Sequence, residues 1–318
     1  MPIRPRRSIL YVPGINKRAI DKCRTLNADG FIFDLEDAVA PAAKPRARDL
    51  VVTELNRGGF NGRELFVRIN GFDTPWGRDD IRAVARSDAD AVLLPKVNVA
   101  KTVRKAKKLL DSTKPSGTQR TKTEPLAIWC MLETPKGILN SKKIAREISR
   151  TANPTHKSGK SSLREGGLIM GTNDLAAELR MPDTVHRSCL FASLSLCALA
   201  ARAAGLPIID GAFLDLLDTN GLEVTCHEAR KLGFDGTTLI HPNAIEIANS
   251  IFKPSEKELV SARTTVDTFE NAIRLGNGIA VVDGKLIENL HTNEARRRLS
   301  LIHAIDQLRP VNYANHNC

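Results

Sequence analysis

The chain has 318 residues, 42% apolar but only 4% aromatic, which supplies a full core and predicts one built from Leu, Ile, Val and Ala. Its formal net charge of +11 suits nucleic acid or a polyanionic small ligand, but the basic residues are scattered and no zinc-finger, recognition-helix or RNA-binding signature accompanies them, which favours a phosphorylated small molecule. Six cysteines without disulfide-like or C-x-x-C spacing, no stretch long and apolar enough for a bilayer, and an apolar run within a few residues of the N-terminus predict a cytoplasmic protein with no signal peptide.

Eight short apolar runs then follow along the chain: 8–13 (SILYVP), 30–37 (GFIFDLED), 65–70 (LFVRIN), 91–96 (AVLLPK), 127–133 (AIWCMLE), 167–174 (GLIMGTND), 207–211 (PIIDG) and 237–241 (TTLIH). Unbroken apolar runs of this length suit strands buried on both faces of a parallel sheet. Their alternation with helix-like segments predicts an α/β fold, a (β/α)8 TIM barrel over residues 1–252. Two segments rich in Ser, Thr, Lys, Pro and Gly, 111–124 and 151–165, read as solvated loops before the fifth and sixth strands, on the stability face of the barrel. After the eighth run comes a helical stretch, 244–251, and then a helix over 256–275 with Ser255 as N-cap. Residues 276–284 read as a turn, a short strand and a turn, and 292–308 as a basic helix. Residues 253–318 are thus predicted to form a C-terminal helical arm.

In such a barrel the strand C-termini carry the chemistry, and here they hold Asp34, Glu36, Asp37, Arg68, Lys96, Glu133, Asp174 and His241. Glu133 and Asp174, on consecutive strands, converge at one mouth. Two carboxylates without a His or Cys suit a hard cation, Mg2+ with Mn2+ as a substitute, rather than zinc. The alternative for Asp174 is a cap on the following helix. Strand alternation sends Asp34 and Glu36 to one side and Asp37 to the other. So many acids repel unless a cation or an Arg shares the site, or unless they are solvated loop acids. Arg68, inside an apolar strand, needs an anionic partner, either a substrate carboxylate or the acidic cluster, and its guanidinium suits a developing enolate oxygen. Lys96 raises a Schiff base, which a metal pair would make redundant. His241 stands where barrels often hold phosphate, or it caps the turn.

These residues fall in motifs that together resemble a known family: YVPG (11–14), FDLEDAV (33–39), VRINGFDTPW (67–76), LLPKV (93–97), ETPKG (133–137), GTNDLA (171–176), IDG (209–211) and IHPNA (240–244). The chain is similar in this way to the citrate lyase β-subunit/malyl-CoA lyase group of the HpcH/HpaI aldolase superfamily. The resemblance implies a Mg2+-dependent carbon–carbon lyase that splits a 3-hydroxyacyl-CoA thioester, of malyl-CoA or citramalyl-CoA type, into an acyl-CoA and a 2-oxo acid. It implies Glu133 and Asp174 as metal ligands and Arg68 as the stabiliser of the enolate. The turn at Gly171 and Thr172 would hold the 2-oxo acid carboxylate. Tyr11, Arg18, Lys22 and the Ile240-His241-Pro242 turn would hold the thioester carrier. It further implies a homotrimer in which the arm closes a neighbour's site.

One departure stands out. Where the resemblance leads one to expect an Asp on the arm, the segment GKLIE places Glu288. With Asp37, Glu288 is a candidate for proton transfer, the alternative being an ordinary helix-start acid. Other outcomes on the same scaffold are a citrate lyase β subunit acting on a citryl thioester, a malyl-CoA thioesterase, and a non-catalytic barrel with a regulatory or nucleic-acid role.

Overall fold

A computed structural model of the protein describes residues 3–113, 121–122, 125–152, 163–182 and 187–308. Its strands are β1 (Ser8–Pro13), β2 (Gly30–Asp34), β3 (Glu64–Arg68), β4 (Ala91–Leu94), β5 (Ala127–Leu132), β6 (Arg164–Met170), β7 (Ile208–Asp210) and β8 (Gly236–Leu239). They close in chain order into a parallel barrel, with Ser8 and Leu10 of β1 facing Thr237 and Leu239 of β8. Around it lie α1 (Lys17–Cys23), α2 (Lys44–Arg57), α3 (Gly77–Ala85), α4 (Ala100–Ser112), α5 (Pro135–Leu139), α6 (Ser141–Ala152), α7 (Thr172–Glu178), α8 (Phe191–Ala203), α9 (Thr219–Lys231) and α10 (Ile245–Phe252). The eight apolar runs therefore do form a (β/α)8 barrel.

Alternation along each strand sorts the side chains. Ile9, Ile32, Phe66, Leu93, Trp129, Ile169 and Ile209 fill the interior, with Tyr11 against them, while Phe31, Val67, Ile128, Leu168 and Ile208 pack outward on the helices. The few aromatics carry more of this core than the composition suggests. Trp129, Phe31, Phe33 and Phe66 are among the largest wholly buried side chains, and the Phe66 and Trp129 rings meet edge to face at 5.2 Å. Gly167 on β6 makes room for them, since a Cβ there would stand 2.5 Å from the Trp129 ring. At the N-terminal end of the barrel, Arg6 pairs with Glu64 at 2.6 Å and Arg7 with Asp29 at 2.7 Å.

Most strands stop short of the ends of the apolar runs, which moves site residues off their strands. β2 stops at Asp34 because the Asp34 carboxylate accepts hydrogen bonds from the backbone N–H groups of Glu36 and Ala38, turning the chain out of the strand. The predicted alternation of Glu36 against Asp37 fails with it. β6 stops at Met170, and Asp174 lies in the first turn of α7 rather than on a strand. The first predicted loop begins late, because α4 runs on to Ser112. Of the two loops, 114–120, 123–124 and 153–162 lie outside the described residues. Thr121 and Lys122 are tied to Asp88 and Asp90, ahead of β4, on the N-terminal face.

The arm consists of α11 (Glu256–Arg274), a hairpin of β9 (Ala280–Val282) and β10 (Lys285–Ile287), and α12 (Asn289–Gln307). Ser255 and Glu258 cap α11 reciprocally, as the Ser-x-x-Glu spacing allows. Glu258 also accepts two hydrogen bonds from Arg230 of α9, at 2.7 and 2.9 Å, joining arm to barrel. The second hairpin strand and the earlier start of α12 were not legible in the sequence. Phe269, Ala280 and Ile287 form a small core of their own, while Ile273, Leu275, Ile279, Val281, Leu286 and Leu290 are exposed around it. Among the described residues no helix is long and apolar enough to cross a membrane.

Candidate active site

The C-terminal ends of β2 to β5 and the turn after β6 bring one polar cluster together. The register of β2 and β3 sets Asp34 directly beside Arg68. Both are buried, and the pair is bidentate: Arg68 Nε donates to Oδ1 at 2.7 Å and Nη2 to Oδ2 at 2.6 Å. The anion that a buried Arg demands is thus Asp34. The remaining nitrogen, Nη1, stands 3.1 Å from Glu36 and 3.6 Å from Asp37, and the guanidinium lies 5.0 Å over the Tyr11 ring. Lys96, just past β4, donates from Nζ to Glu36 at 3.0 Å and lies 3.6 Å from Asp37. Its backbone N–H donates to Oε1 of Glu133 at 2.5 Å.

Glu133 lies just past the end of β5 and is 1% exposed. Its Oε2 is buried with no hydrogen-bond partner. Gly171, at the N-cap of α7, allows this carboxylate to lie against the turn after β6, because a Cβ there would collide with it. Burial pushes the Glu133 carboxyl up, and Glu36 and Asp174 add to that push against the Lys96 N–H and Arg68. Glu36 is likewise raised, first by burial. Burial works against the charges on Arg68 and Lys96, yet Asp34 holds the first, and Glu36 the second, above their ordinary ranges.

Five carboxylates (Asp34, Glu36, Asp37, Glu133, Asp174) therefore face two cations (Arg68, Lys96) at this mouth. That surplus of negative charge, with one carboxylate oxygen buried and unpaired, suits a divalent cation. Among the described residues no group of three or more His, Cys, Asp or Glu side chains is arranged to hold a metal alone. Mg2+ is commonly held by only one or two carboxylates, with water and substrate completing its shell, and Glu133 and Asp174 are the residues that could supply such a pair.

The other predicted residues are spread around the rim and beyond. Tyr11 is inside, its hydroxyl 3.6 Å from the Met131 sulfur; burial keeps its phenol protonated. Arg18 and Lys22 are exposed on α1, and after β8, the strand paired with β1, His241 is exposed and Pro242 half-buried. His241 Nδ1 accepts from the Asn243 N–H at 3.3 Å, so it does cap the turn, and Ile240 is partly open beside it. Thr172, in the first turn of α7, packs against Gly211 after β7. Glu288 lies apart on the arm. Its backbone N–H donates to Nδ1 of His291 at 3.1 Å, and among the described residues no barrel side chain hydrogen-bonds or pairs with it. Sequence reasoning missed Lys44, buried and donating to the Leu35 and Glu36 carbonyls, and Met131, which touches Arg68. It also missed the pair of Arg187 with the buried Asp210 at 2.5 Å. No spacing in the chain points to any of these.

With the geometry in view, a sequence model of the family described as HpcH/HpaI aldolase/citrate lyase matches residues 7–242, the whole barrel. The chain belongs to this family. It is 44% identical to a (3S)-malyl-CoA thioesterase of Cereibacter sphaeroides over 305 residues, 96% of this chain and 97% of that one. To the citrate lyase subunit beta of Escherichia coli it is 33% identical over 299 residues, 93% of each chain. Among solved structures it is similar to the protein CitE of Mycobacterium tuberculosis in complex with magnesium, acetoacetate and coenzyme A. That likeness has a TM-score of 0.67 and 26% identity, and covers 94% of this chain and 97% of the other. The HpcH/HpaI motifs quoted above all lie within the matched barrel or in the two residues after it.

Proposed function

We propose that the protein is a metal-assisted carbon–carbon lyase that cleaves a 3-hydroxyacyl-CoA thioester of the malyl-CoA or citramalyl-CoA type to an acyl-CoA and a 2-oxo acid. The observation that carries this is the buried Arg68, locked to Asp34 beside a carboxylate whose Oε2 has no partner. Glu133 and Asp174 would hold Mg2+, or Mn2+, with Glu36 and Asp37 bonding its water shell. A metal bound there would supply Lewis acidity that lowers the pKa of the substrate hydroxyl.

Arg68 holds the thioester carbonyl oxygen and takes up the charge of the enolate as the C–C bond breaks. Its Asp34 clamp and the Tyr11 ring fix the guanidinium before substrate arrives, which is what makes such stabilisation effective. The backbone N–H groups at Gly171 and Thr172 receive the 2-oxo acid carboxylate. Arg18, Lys22 and the Ile240-His241-Pro242 turn form a basic rim for the phosphates of CoA. The hydroxyl proton goes to a carboxylate, Asp37 on the rim or Glu288 from the arm of a neighbouring subunit in a homotrimer. The apolar residues left exposed on the arm, Leu275 at 79% and Leu290 at 73%, support burial of its tip against another copy.

A second reading is hydrolysis of malyl-CoA by the same site, favoured by the 44% identity to a (3S)-malyl-CoA thioesterase. One assay separates the two. With malyl-CoA and Mg2+, a lyase releases glyoxylate, trapped as a hydrazone, with no free thiol. A thioesterase releases one free thiol per turnover and no glyoxylate. Absence of both products would remove malyl-CoA as substrate.

A further inference from the structure

Lys96 is the one site residue with a backbone that L side chains rarely adopt, at φ +48°. It interrupts the β4–β5 pairing without ending it, since the next N–H, of Val97, reaches the Met131 carbonyl at 3.2 Å. The left-handed turn is what aims the Lys96 N–H at Oε1 of Glu133, and such a conformation in a Lys persists only where its surroundings enforce it. The side chain meanwhile leaves in another direction, to Glu36 and Asp37. Each of these two acids lies between Lys96 and Arg68, one oxygen toward each cation.

We propose that Lys96 is a positioning residue with two separable tasks. Its backbone N–H occupies Oε1 of Glu133, leaving Oε2 as the oxygen presented to the divalent cation. Its ammonium takes one oxygen of Glu36 and one of Asp37, weakening their hold on Nη1 of Arg68, so that the thioester oxygen can compete for that edge of the guanidinium. An ammonium held between two carboxylates is a poor nucleophile, so no Schiff base is involved. This inference rests on the metal-assisted lyase function proposed above and adds a residue to it.

The test uses the full-length chain with Lys96→Met, Lys96→Arg, Lys96→Gly and Lys96→Ala, read by calorimetric Mg2+ binding to chelator-treated protein, by kcat and KM with malyl-CoA, and by melting temperature. Lys96→Met is expected to bind Mg2+ as well as the wild type or several-fold more tightly, because a positive charge has left the site. Its kcat is expected to fall about 10- to 100-fold through misplacement of Arg68, and Lys96→Arg is expected to restore most of the loss. Lys96→Gly, free of left-handed strain, is expected to melt above Lys96→Ala. Wild-type turnover in Lys96→Met, or loss of its Mg2+ binding together with turnover, would overturn the ammonium task. Melting of Lys96→Ala at or above Lys96→Gly would overturn the backbone task, and borohydride inactivation in the presence of 2-oxo acid that Lys96→Arg abolishes would overturn the ammonium task. If the wild type itself bound no Mg2+, the metal-assisted function would fall first, and the Lys96 role with it.

Discussion

Replacing Asp34 with Asn should unlock Arg68 with hardly any change in shape. Each Asp34 oxygen serves two donors: Oδ1 accepts from Arg68 Nε and the Glu36 N–H, and Oδ2 from Arg68 Nη2 and the Ala38 N–H. In Asn one of these oxygens becomes an NH2 group, itself a donor, so whichever way the amide turns two hydrogen bonds are lost. One is charge-assisted, worth about 2 kcal/mol, and one is a backbone bond worth about 1 kcal/mol, giving a loss of about 3 kcal/mol. With its main partner weakened, Arg68 turns toward Glu36 and Asp37, and a shift on the order of 1 Å should cost about 100-fold in kcat. Urea unfolding and malyl-CoA turnover measure the two effects. A variant within about 0.5 kcal/mol of the wild type, with kcat within a few-fold, would refute the clamp.

Glu133→Gln should abolish calorimetric Mg2+ binding yet stabilise the metal-free protein. Because burial raises the Glu133 carboxyl above its ordinary 4.5, the acid stabilises the fold fully below pH 4.5 and loses that contribution as pH rises through the higher folded value. The stability gap in favour of Gln should therefore open with rising pH, and a gap that closes would contradict it. Glu258 has the opposite sign. Burial alone would raise it, but the Ser255 N–H and Arg230 bring it down to about 2, so its contribution is present above pH 4.5 and lost as pH falls through that value. Acid unfolding of Glu258→Gln should be flatter across that window than the wild type. Gly167→Ala should destabilise by about 2 kcal/mol through overpacking, because the new methyl meets the Trp129 ring and the Pro207 carbonyl. Native-like stability there would show that the ring can move.

The barrel was legible because strands buried on both faces write themselves as largely apolar runs, plain in β4 (AVLL) and β5 (AIWCML) and weakest in β8 (GTTL). The outward ends of those runs were less legible, because side chains rather than hydrophobicity stop the strands. Asp34 ends β2 by taking two backbone N–H groups, and no periodicity announces that. That Arg68 needed an acid could be read from its apolar strand. Which acid could not, since the choice is made by the β2–β3 register that sets residue 34 beside residue 68. Lys96 looked like a candidate nucleophile because its left-handed backbone, and hence the separation of its N–H from its ammonium, lies beyond sequence pattern. On the arm, β10 has one buried residue in three, too little for an apolar run.

A mouth that forms and stabilises a thioester enolate beside a divalent cation held at Glu133 must also run the reaction backwards. In that condensation acetyl-CoA, glyoxylate and Mg2+ are incubated with the protein, and malyl-CoA is followed by chromatography and mass spectrometry. Malyl-CoA should form with the wild type, disappear when the metal is chelated, and fail to form with Glu133→Gln or Arg68→Met. Malyl-CoA formed without metal or by either variant, or release of free CoA alone, would contradict that enolate chemistry.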